Sequence, residues 1–160
     1  MKEVYIDFDG VILDTIPIYY RVAEKNKMDK ASDELWNKFD FNAIINEKII
    51  LNDSIECIKK LIASNKYKIS VLTCISAFSE GEVKVKFIRK YFDNIDIIML
   101  PKTIAKSQVV CAKNRILIDD YMENLKDWKA HGGIPIKFSK SMKPCEYKTI
   151  NRLDELLNIL

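Results

Sequence analysis

The sequence predicts an α/β protein built on a doubly wound, parallel, five-stranded sheet, with a small helical cap inserted after the first strand. Three observations favour this fold class: short runs rich in β-branched residues recur along the chain, helical patterns separate them, and one long segment holds no strand pattern. The runs are mostly continuous apolar stretches, which is typical of strands buried on both faces of a parallel sheet. Their alternation with helices indicates right-handed crossovers.

Five strands are predicted, each from a short run of apolar and β-branched residues. The runs are Val4–Phe8, Ile69–Thr73, Ile95–Leu100, Arg115–Ile118 and Ile134–Phe138. Because the carboxyl ends of parallel strands meet at one edge of the sheet, the residues that end these runs are expected to lie close together.

Helices are predicted between the strands from apolar periodicity and from capping residues. Apolar residues follow a helical period over Ser54–Ser64. Ser79 and Glu82 form a capping-box pattern at the start of the next helix. A helix over Asp120–His131 is expected to end at Gly132. The remaining predicted helices are Ile104–Lys113 and a C-terminal helix that Asn151 caps.

The segment between the first and second strands is longer than one crossover usually needs. We interpret residues 15–50 as a small helical cap, inserted into a core formed by residues 1–14 and 51–160. Ordinary crossover helices are the alternative interpretation. Two or three helices are expected in the cap, around Ile18–Asn26, Ser32–Phe39 and Ala43–Ile49.

The composition argues against several kinds of partner. The net charge is only +3, and basic residues are interspersed with acidic ones, so binding to a nucleic-acid polymer is not expected. No apolar run approaches the ~20 residues of a membrane span. The first predicted strand begins near Val4, which leaves no room for a signal or transit peptide. We therefore expect a cytoplasmic protein.

Cysteine and histidine usage excludes further classes of site. The four cysteines are far apart and show no paired spacing, so structural zinc is not expected, and free thiols in a reducing cytoplasm are the favoured interpretation. His131 is the only histidine, which excludes a histidine-based triad or a metal site with several histidines.

The most informative feature is a pair of carboxylates at the end of the first strand. Asp7 and Asp9 lie one residue apart and lead directly into Gly10. Two anions so close together repel each other unless a cation lies between them. A hard divalent metal with oxygen ligands meets this requirement, so the strand end is a candidate active site.

Polar and charged residues also occur at three other places near the ends of predicted strands. Thr73 ends the second strand, Lys106 opens a short helix before the fourth, and Asp119 and Asp120 follow the fourth. Carboxylates, a hydroxyl and an ammonium at one sheet edge are suited to phosphoryl transfer, in which one carboxylate attacks phosphorus and another protonates the leaving oxygen. Lysine and threonine would bind phosphate oxygens, together with a free amide near Gly10.

These four elements resemble motifs I to IV of the haloacid dehalogenase (HAD) superfamily of phosphohydrolases. Asp7 to Val11 are similar to motif I, Thr73 to motif II, Lys106 to motif III, and Asp119-Asp120 to motif IV. The resemblance implies a HAD-like Rossmannoid fold, a Mg²⁺ cofactor and an aspartyl-phosphate intermediate.

The roles that we expect for these residues follow from their positions. Asp7 is the expected nucleophile and Asp9 the general acid and base. The metal is expected to be held by Asp7, by the backbone carbonyl of Asp9, and by Asp119 or Asp120, a choice that the sequence leaves open. Gly10, Thr73 and Lys106 are the expected phosphate ligands, and Thr73 and Lys106 are also expected to take part in catalysis.

The C-terminal half resembles the 5′(3′)-deoxyribonucleotidase-like branch, which dephosphorylates nucleoside monophosphates with magnesium. The expected partner is thus a small phosphorylated metabolite, with (deoxy)nucleoside monophosphates as the implied class. At the place where this branch often carries an aromatic residue, the chain has Thr15. The resemblance rests on Lys106-Ser107, Ile116 to Tyr121, Asn124, Trp128, Gly132-Gly133, Ile136 and Phe138.

Other interpretations stay open for single residues. Lys102 is the alternative to Lys106 as the phosphate-binding lysine. Asp119 and Asp120 also suit a helix N-cap, and Thr73 also suits an ordinary strand position. Lys84 and Lys86 are expected on a solvated helix face. For Trp36, Phe39 and Phe41, packing inside the cap is favoured over lining a pocket.

The leading functional hypothesis is a magnesium-dependent phosphomonoester hydrolase. The alternative is a non-hydrolytic phospho-acceptor or binding module, such as a receiver-like switch, which also clusters acids, a threonine and a lysine on a parallel sheet. The order along the chain favours the hydrolase, because here the acceptor-like pair lies on the first strand with a second acid pair on the fourth.

Overall fold

The computed structural model describes residues 1–160 and contains one six-stranded sheet in which every neighbouring pair is parallel. The strands are β1 (Lys2–Ile6), β2 (Tyr67–Ile75), β3 (Asp96–Pro101), β4 (Ile116–Asp119), β5 (Ile134–Phe138) and β6 (Lys148–Ile150). Their order across the sheet is β3-β2-β1-β4-β5-β6. The prediction of a doubly wound parallel sheet is confirmed, and β1 and β4 lie side by side at its centre.

The predicted number of strands was wrong, because β6 adds a sixth strand at one edge. It has only three residues and pairs with β5 through Ile136↔Lys148 and Phe138↔Ile150. Of the three, only Ile150 is buried. So short a run carries no periodicity, and its pairing with β5 is what makes it a strand.

Six helices lie between strands, and a seventh follows β6. They are α1 (Ile16–Lys25), α2 (Asp33–Asn37), α3 (Ser54–Ala63), α4 (Phe78–Arg89), α5 (Lys106–Val109), α6 (Met122–Ala130) and α7 (Leu156–Ile159). Three short 3₁₀ turns complete the list, at Phe41–Ala43, Glu47–Ile49 and Leu153–Glu155. No helix combines the length and apolar character that crossing a membrane requires.

Several predicted helix ends differ from the structure. The capping box of Ser79 and Glu82 is not formed, because α4 already begins at Phe78 and has no side-chain cap. Instead, the Glu80 carboxylate accepts a hydrogen bond of 2.6 Å from the backbone amide of Ser76. The predicted helix over 104–113 shortens to the four residues of α5.

The C-terminal helix also begins later than predicted. Asn151 does not cap it with its side chain, and a 3₁₀ turn precedes α7. The Glu155 carboxylate reaches back and accepts hydrogen bonds from the amides of Asn151 and Arg152, at 2.9 and 2.8 Å.

Both faces of the sheet are covered, as its apolar strands require. Successive side chains of a strand point to opposite faces. In β1, Val4 and Ile6 therefore belong to the larger apolar cluster, and Tyr5 belongs to the smaller one. On the smaller side, the Trp128 ring of α6 packs edge-on against Tyr5, with ring centroids 5.6 Å apart. This contact helps to hold α6, which follows the acidic end of β4.

The segment between β1 and α3 contains helices and 3₁₀ turns but no strand. Leu13 and Ile50 form an antiparallel bridge at its base. Inside it, Tyr19, Trp36 and Phe41 are buried together and pack mainly edge to face, which agrees with the expectation of aromatic packing within the cap. The division into a core and a cap stays a prediction.

Candidate active site

The carboxyl ends of β1 and β4 bring three acidic side chains together. Carboxylate oxygens of Asp7, Asp119 and Asp120 all lie within 4.8 Å of one another. Asp7 and Asp119 are buried, whereas Asp120 is partly exposed and lines a cavity of about 500 Å³. The strand order explains the cluster, because β1 and β4 are neighbours and run parallel.

Lys106 provides the positive charge at this cluster. Its Nζ lies 2.9 Å from Asp7 Oδ1 and 2.7 Å from Asp119 Oδ2, and the residue is buried. Burial alone would lower the pKa of Lys106, but Asp119 and Asp7 raise it above its ordinary value, so the side chain stays charged. The alternative lysine, Lys102, is exposed at the cavity wall and forms no ion pair.

The two neighbouring acids after β4 have different environments. Asp119 Oδ1 accepts a hydrogen bond from the amide of Tyr121, and Oδ2 accepts one from the Asn124 side chain as well as from Lys106. No protein donor bonds to the Asp120 side chain. The helix that follows, α6, has Tyr121 at its N-cap, so neither aspartate is the N-cap residue. Asp120 therefore has more oxygen lone pairs free for a cation than Asp119 does.

Asp7 and Asp120 are harder to ionise than ordinary aspartates, because their pKa values are raised. Burial raises the pKa of Asp7 well above its ordinary value, even though Lys106 opposes the shift. Burial also raises the pKa of Asp120 to about 7, and the Asp119 carboxylate adds to this effect, while Lys137 opposes it. One lysine does not offset the negative charge gathered here.

The turn after β1 is shaped by Gly10 and presents backbone amides. Gly10 has a φ of +74°, and a Cβ at this position would overlap the Asp120 carboxylate, so only glycine fits. Its own amide donates to the Leu13 carbonyl at 2.8 Å, so the free amide expected near Gly10 is not that of Gly10 itself. The amides of Phe8 and Asp9, by contrast, donate to no backbone carbonyl and are available to an anion.

Asp9 lies beside this cluster and is held from two sides. Thr15 donates to Asp9 Oδ1 at 2.6 Å, and the Tyr19 hydroxyl lies 3.1 Å from the same oxygen. Lys84 donates to Oδ2 at 2.6 Å. The Asp9 backbone carbonyl accepts no backbone hydrogen bond. Thr15 stands where the deoxyribonucleotidase-like branch often carries an aromatic residue. In this structure it is a hydrogen-bond donor to Asp9.

The prediction that Lys84 lies on a solvated helix face was wrong. Its side chain is fully buried and pairs with Asp9 and with Glu80, whose Oε1 lies 2.8 Å from Nζ. Burial alone would lower the pKa of Lys84, but the two acids raise it above its ordinary value. Lys86 is exposed as expected. The spacing of Lys84 after Glu80 and before buried Ile88 is the sequence signal for its burial.

Thr73 reaches the same region but is buried behind it. Its hydroxyl accepts a hydrogen bond of 3.1 Å from Lys84 and donates to the Cys74 carbonyl at 3.3 Å. At this strand end, Cys74 and Ser76 line the cavity. Burial raises the pKa of the Cys74 thiol to about 11, so it stays neutral. The role of Thr73 as a phosphate ligand stays a prediction.

Comparison with known proteins supports the fold. No protein-family model matches the sequence, and no curated protein is significantly similar to it. Solved structures do match. The D,D-heptose 1,7-bisphosphate phosphatase from Burkholderia thailandensis has a TM-score of 0.60 at 17% identity, over 98% of this chain and 96% of that one. These matches show a HAD-like α/β fold.

Two further HAD-fold phosphatases are similar over nearly their whole length. A HAD phosphatase from Thermococcus onnurineus has a TM-score of 0.60 at 14% identity, with 99% of this chain and 97% of that one covered. A D,D-heptose 1,7-bisphosphate phosphatase from B. bronchiseptica, solved with magnesium and phosphate, has a TM-score of 0.57 at 14% identity and full coverage of both chains.

The residues of the acidic cluster fit a magnesium ion. Carboxylate oxygens are the ligands that Mg²⁺ prefers, and it is usually held by one or two of them with water completing the shell. Asp7 and Asp120 supply such oxygens at one edge of the sheet. Burial, together with the neighbouring carboxylates, raises the pKa values of both groups, and a divalent cation would offset these effects.

We expect magnesium to stabilise the protein more at high pH than at low pH. Asp7 and Asp120 have folded-state pKa values above their unfolded ones, so their contribution to stability is present in acid and is lost as the pH rises through the folded-state values, which for Asp120 is about 7. Without divalent cations, Tm should fall between about pH 5 and about pH 8. Magnesium should restore it chiefly at the higher pH, as measured by calorimetry.

Asp120→Asn should flatten this pH dependence and reduce the magnesium effect, since it removes one ligand and one buried charge. The exposed Asp93→Asn is the matched control and should behave as the wild type does. An undiminished rise of Tm with magnesium in Asp120→Asn would contradict the assignment.

Proposed function

We propose that the protein is a magnesium-dependent phosphomonoester hydrolase that works through an aspartyl-phosphate on Asp7. The observation that carries this proposal is the placement of Asp7 at a strand end, 2.9 Å from a buried lysine and beside two further carboxylates. Asp9 lies two residues on, at the wall of the same cavity. A nucleophile, a proton donor and a candidate cation site thus share one enclosed space.

The two halves of the reaction assign separate tasks to Asp7 and Asp9. In the first, an Asp7 oxygen bonds to phosphorus, the ester P–O bond breaks, and Asp9 gives its proton to the leaving alkoxide. In the second, water attacks phosphorus, the bond to Asp7 breaks, and Asp9 takes a proton from the water. Each carboxylate returns to its starting state.

The neighbouring groups support these steps. Lys106 keeps the Asp7 side chain in place and offsets charge on the phosphoryl group. The free amides of Phe8 and Asp9 suit phosphate oxygens. Magnesium, held by Asp7, by the Asp9 carbonyl, and by Asp120 or Asp119, would supply further neutralisation of the phosphate.

For the substrate, we propose (deoxy)nucleoside monophosphates. A cavity of about 500 Å³ suits a small phosphorylated molecule better than a polymer. Tyr20 and Tyr121 line this cavity, and their side chains are 57% and 60% exposed, so a base has two rings on which to stack. Stacking contributes on the order of 1–3 kcal/mol per base. Tyr19 and Trp36 also line the cavity, but both are buried and pack against each other.

The four cysteines are free, and two of them are exposed, which supports a reducing compartment such as the cytoplasm.

Asp7 and Asp9 should differ sharply when each is replaced. Asp7→Asn should abolish both turnover and the phospho-enzyme, because the amide cannot attack phosphorus. Asp9→Asn should lower kcat by roughly 10²–10⁴-fold, the range typical of lost acid–base catalysis. The measurement is turnover with magnesium together with intact-mass detection of a beryllofluoride or phosphoryl adduct. An adduct on a residue other than Asp7 would overturn the assignment.

Lys106→Ala should damage every phosphomonoester alike, since Lys106 contacts the nucleophile and not the rest of a substrate. We expect kcat/KM to fall by roughly 10²–10³-fold on each ester, scored per folded molecule because unpaired buried acids also destabilise the fold. Lys102→Ala, on the cavity wall, is the matched control and should retain turnover of a small aryl phosphate. The reverse pattern would move the phosphate-binding role to Lys102.

The substrate class is tested by a ratio of specificity constants. With magnesium present, kcat/KM for deoxynucleoside monophosphates should exceed that for small sugar phosphates and for a generic aryl phosphate. Tyr20→Ala should reduce this advantage without changing the rate on the aryl ester. Equal rates on all three would remove the nucleotide proposal but leave the hydrolase proposal intact. A stable phospho-enzyme without turnover would favour the non-hydrolytic phospho-acceptor.

A further inference from the structure

A buried ionic network contacts Asp9 and involves none of the three carboxylates of the acidic cluster. Lys84 of α4 is fully buried, with Nζ 2.6 Å from Asp9 Oδ2 and 2.8 Å from Glu80 Oε1. It also donates to the Thr73 hydroxyl and to the Cys74 carbonyl, at 3.1 and 3.0 Å. All of its hydrogen-bonding capacity is used inside the protein, so it cannot contact a substrate.

Stability alone gives no reason for this arrangement. Removing an ammonium and its partners from water costs free energy that their mutual attraction often fails to recover, and apolar residues of similar volume are often as stable or more so. Lys84 lies on the face of α4 that packs into the core, next to the apolar residues Phe87 and Ile88. An apolar side chain would fit the packing there, so a lysine at this position points to a task at Asp9.

The contacts fix the orientation of the Asp9 carboxyl group. Lys84 binds one oxygen from the core, while Thr15 and Tyr19 bind the other from the start of α1. Tyr19 also lies 3.4 Å from Glu80, so the contacts form a closed network. Hydrogen-bond donors on both sides of a carboxyl group restrict its rotation. A restricted orientation matters for a group that must transfer a proton to the leaving oxygen.

We propose that Lys84 and Tyr19 are positioning residues for Asp9, which orient it towards the leaving group of the ester. This inference rests on the proposed hydrolase function. It assigns a task to residues that touch neither the phosphate nor the metal ligands Asp7 and Asp120. If the inference is right, loss of these residues slows the hydrolysis of some esters and not of others, according to the leaving group. Orientation of a proton donor matters when the leaving alkoxide is a poor one and needs protonation, and matters little when the leaving group departs as a stable anion.

The experiment compares an alkyl phosphate with dinitrophenyl phosphate, with magnesium present. Glu80→Gln/Lys84→Met removes one positive and one negative charge together, so the buried network keeps its net charge, and Glu80→Gln alone is its reference. We expect kcat on the alkyl ester to fall at least ~30-fold relative to that reference, and by less than about 3-fold on the dinitrophenyl ester. The exposed Lys86→Met, on the same helix, should match the wild type on both.

Tyr19→Phe provides a second, milder variant, since it removes one hydroxyl and keeps the ring packing. It should show the same selectivity, with a loss of roughly 3–10-fold confined to the alkyl ester. Asp9→Asn combined with either variant should lose no more than Asp9→Asn alone, because the network then has nothing to position.

Equal losses on both esters, or no loss on either, would overturn the inference and leave the hydrolase proposal standing. If the double variant does not fold, Tyr19→Phe decides by the same criterion. A wild-type protein that hydrolyses neither ester would overturn the hydrolase proposal itself, and this inference with it.

Discussion

The structure depends on the compensation of negative charge at the carboxyl ends of the strands. Asp7, Asp9, Asp119 and Asp120 meet at one edge of the sheet, where burial makes each negative charge costly. Two buried lysines, from two different helices, offset part of that charge. Lys106 and Lys84 each bridge two acids, so the positions of α5 and α4 are tied to the chemistry at the strand ends.

The two lysines give the acids at this edge of the sheet different surroundings. Lys106 lies between β1 and β4 and fixes Asp7 and Asp119, whereas Asp120 is left without a protein donor and faces the cavity. Two successive aspartates thus acquire different environments, because successive residues at a strand end point in different directions. Asp119 is held by hydrogen bonds within the protein, whereas Asp120 retains carboxylate oxygens that could bind a cation. Glycine at position 10 is required because the Asp120 carboxylate occupies the space of a side chain.

Much of this architecture was predictable from the sequence, for a physical reason. The long strands are continuous apolar runs, and acids after two such runs must converge once those strands become neighbours in a parallel sheet. What could not be predicted depends on partners that are distant in the chain. The three residues of β6 form a strand only because β5 pairs with them. Lys84 resembled a surface lysine until Asp9, 75 residues earlier, was placed beside it.

The bridge between Leu13 and Ile50 joins the two ends of the segment between β1 and α3, so a change of length within the segment leaves these ends together. Doubling a flexible loop costs only about 0.6 kcal/mol in closure entropy. The segment beyond Tyr19 can therefore change in length, and so change which molecules enter, while Thr15 and Tyr19 keep their contacts with Asp9.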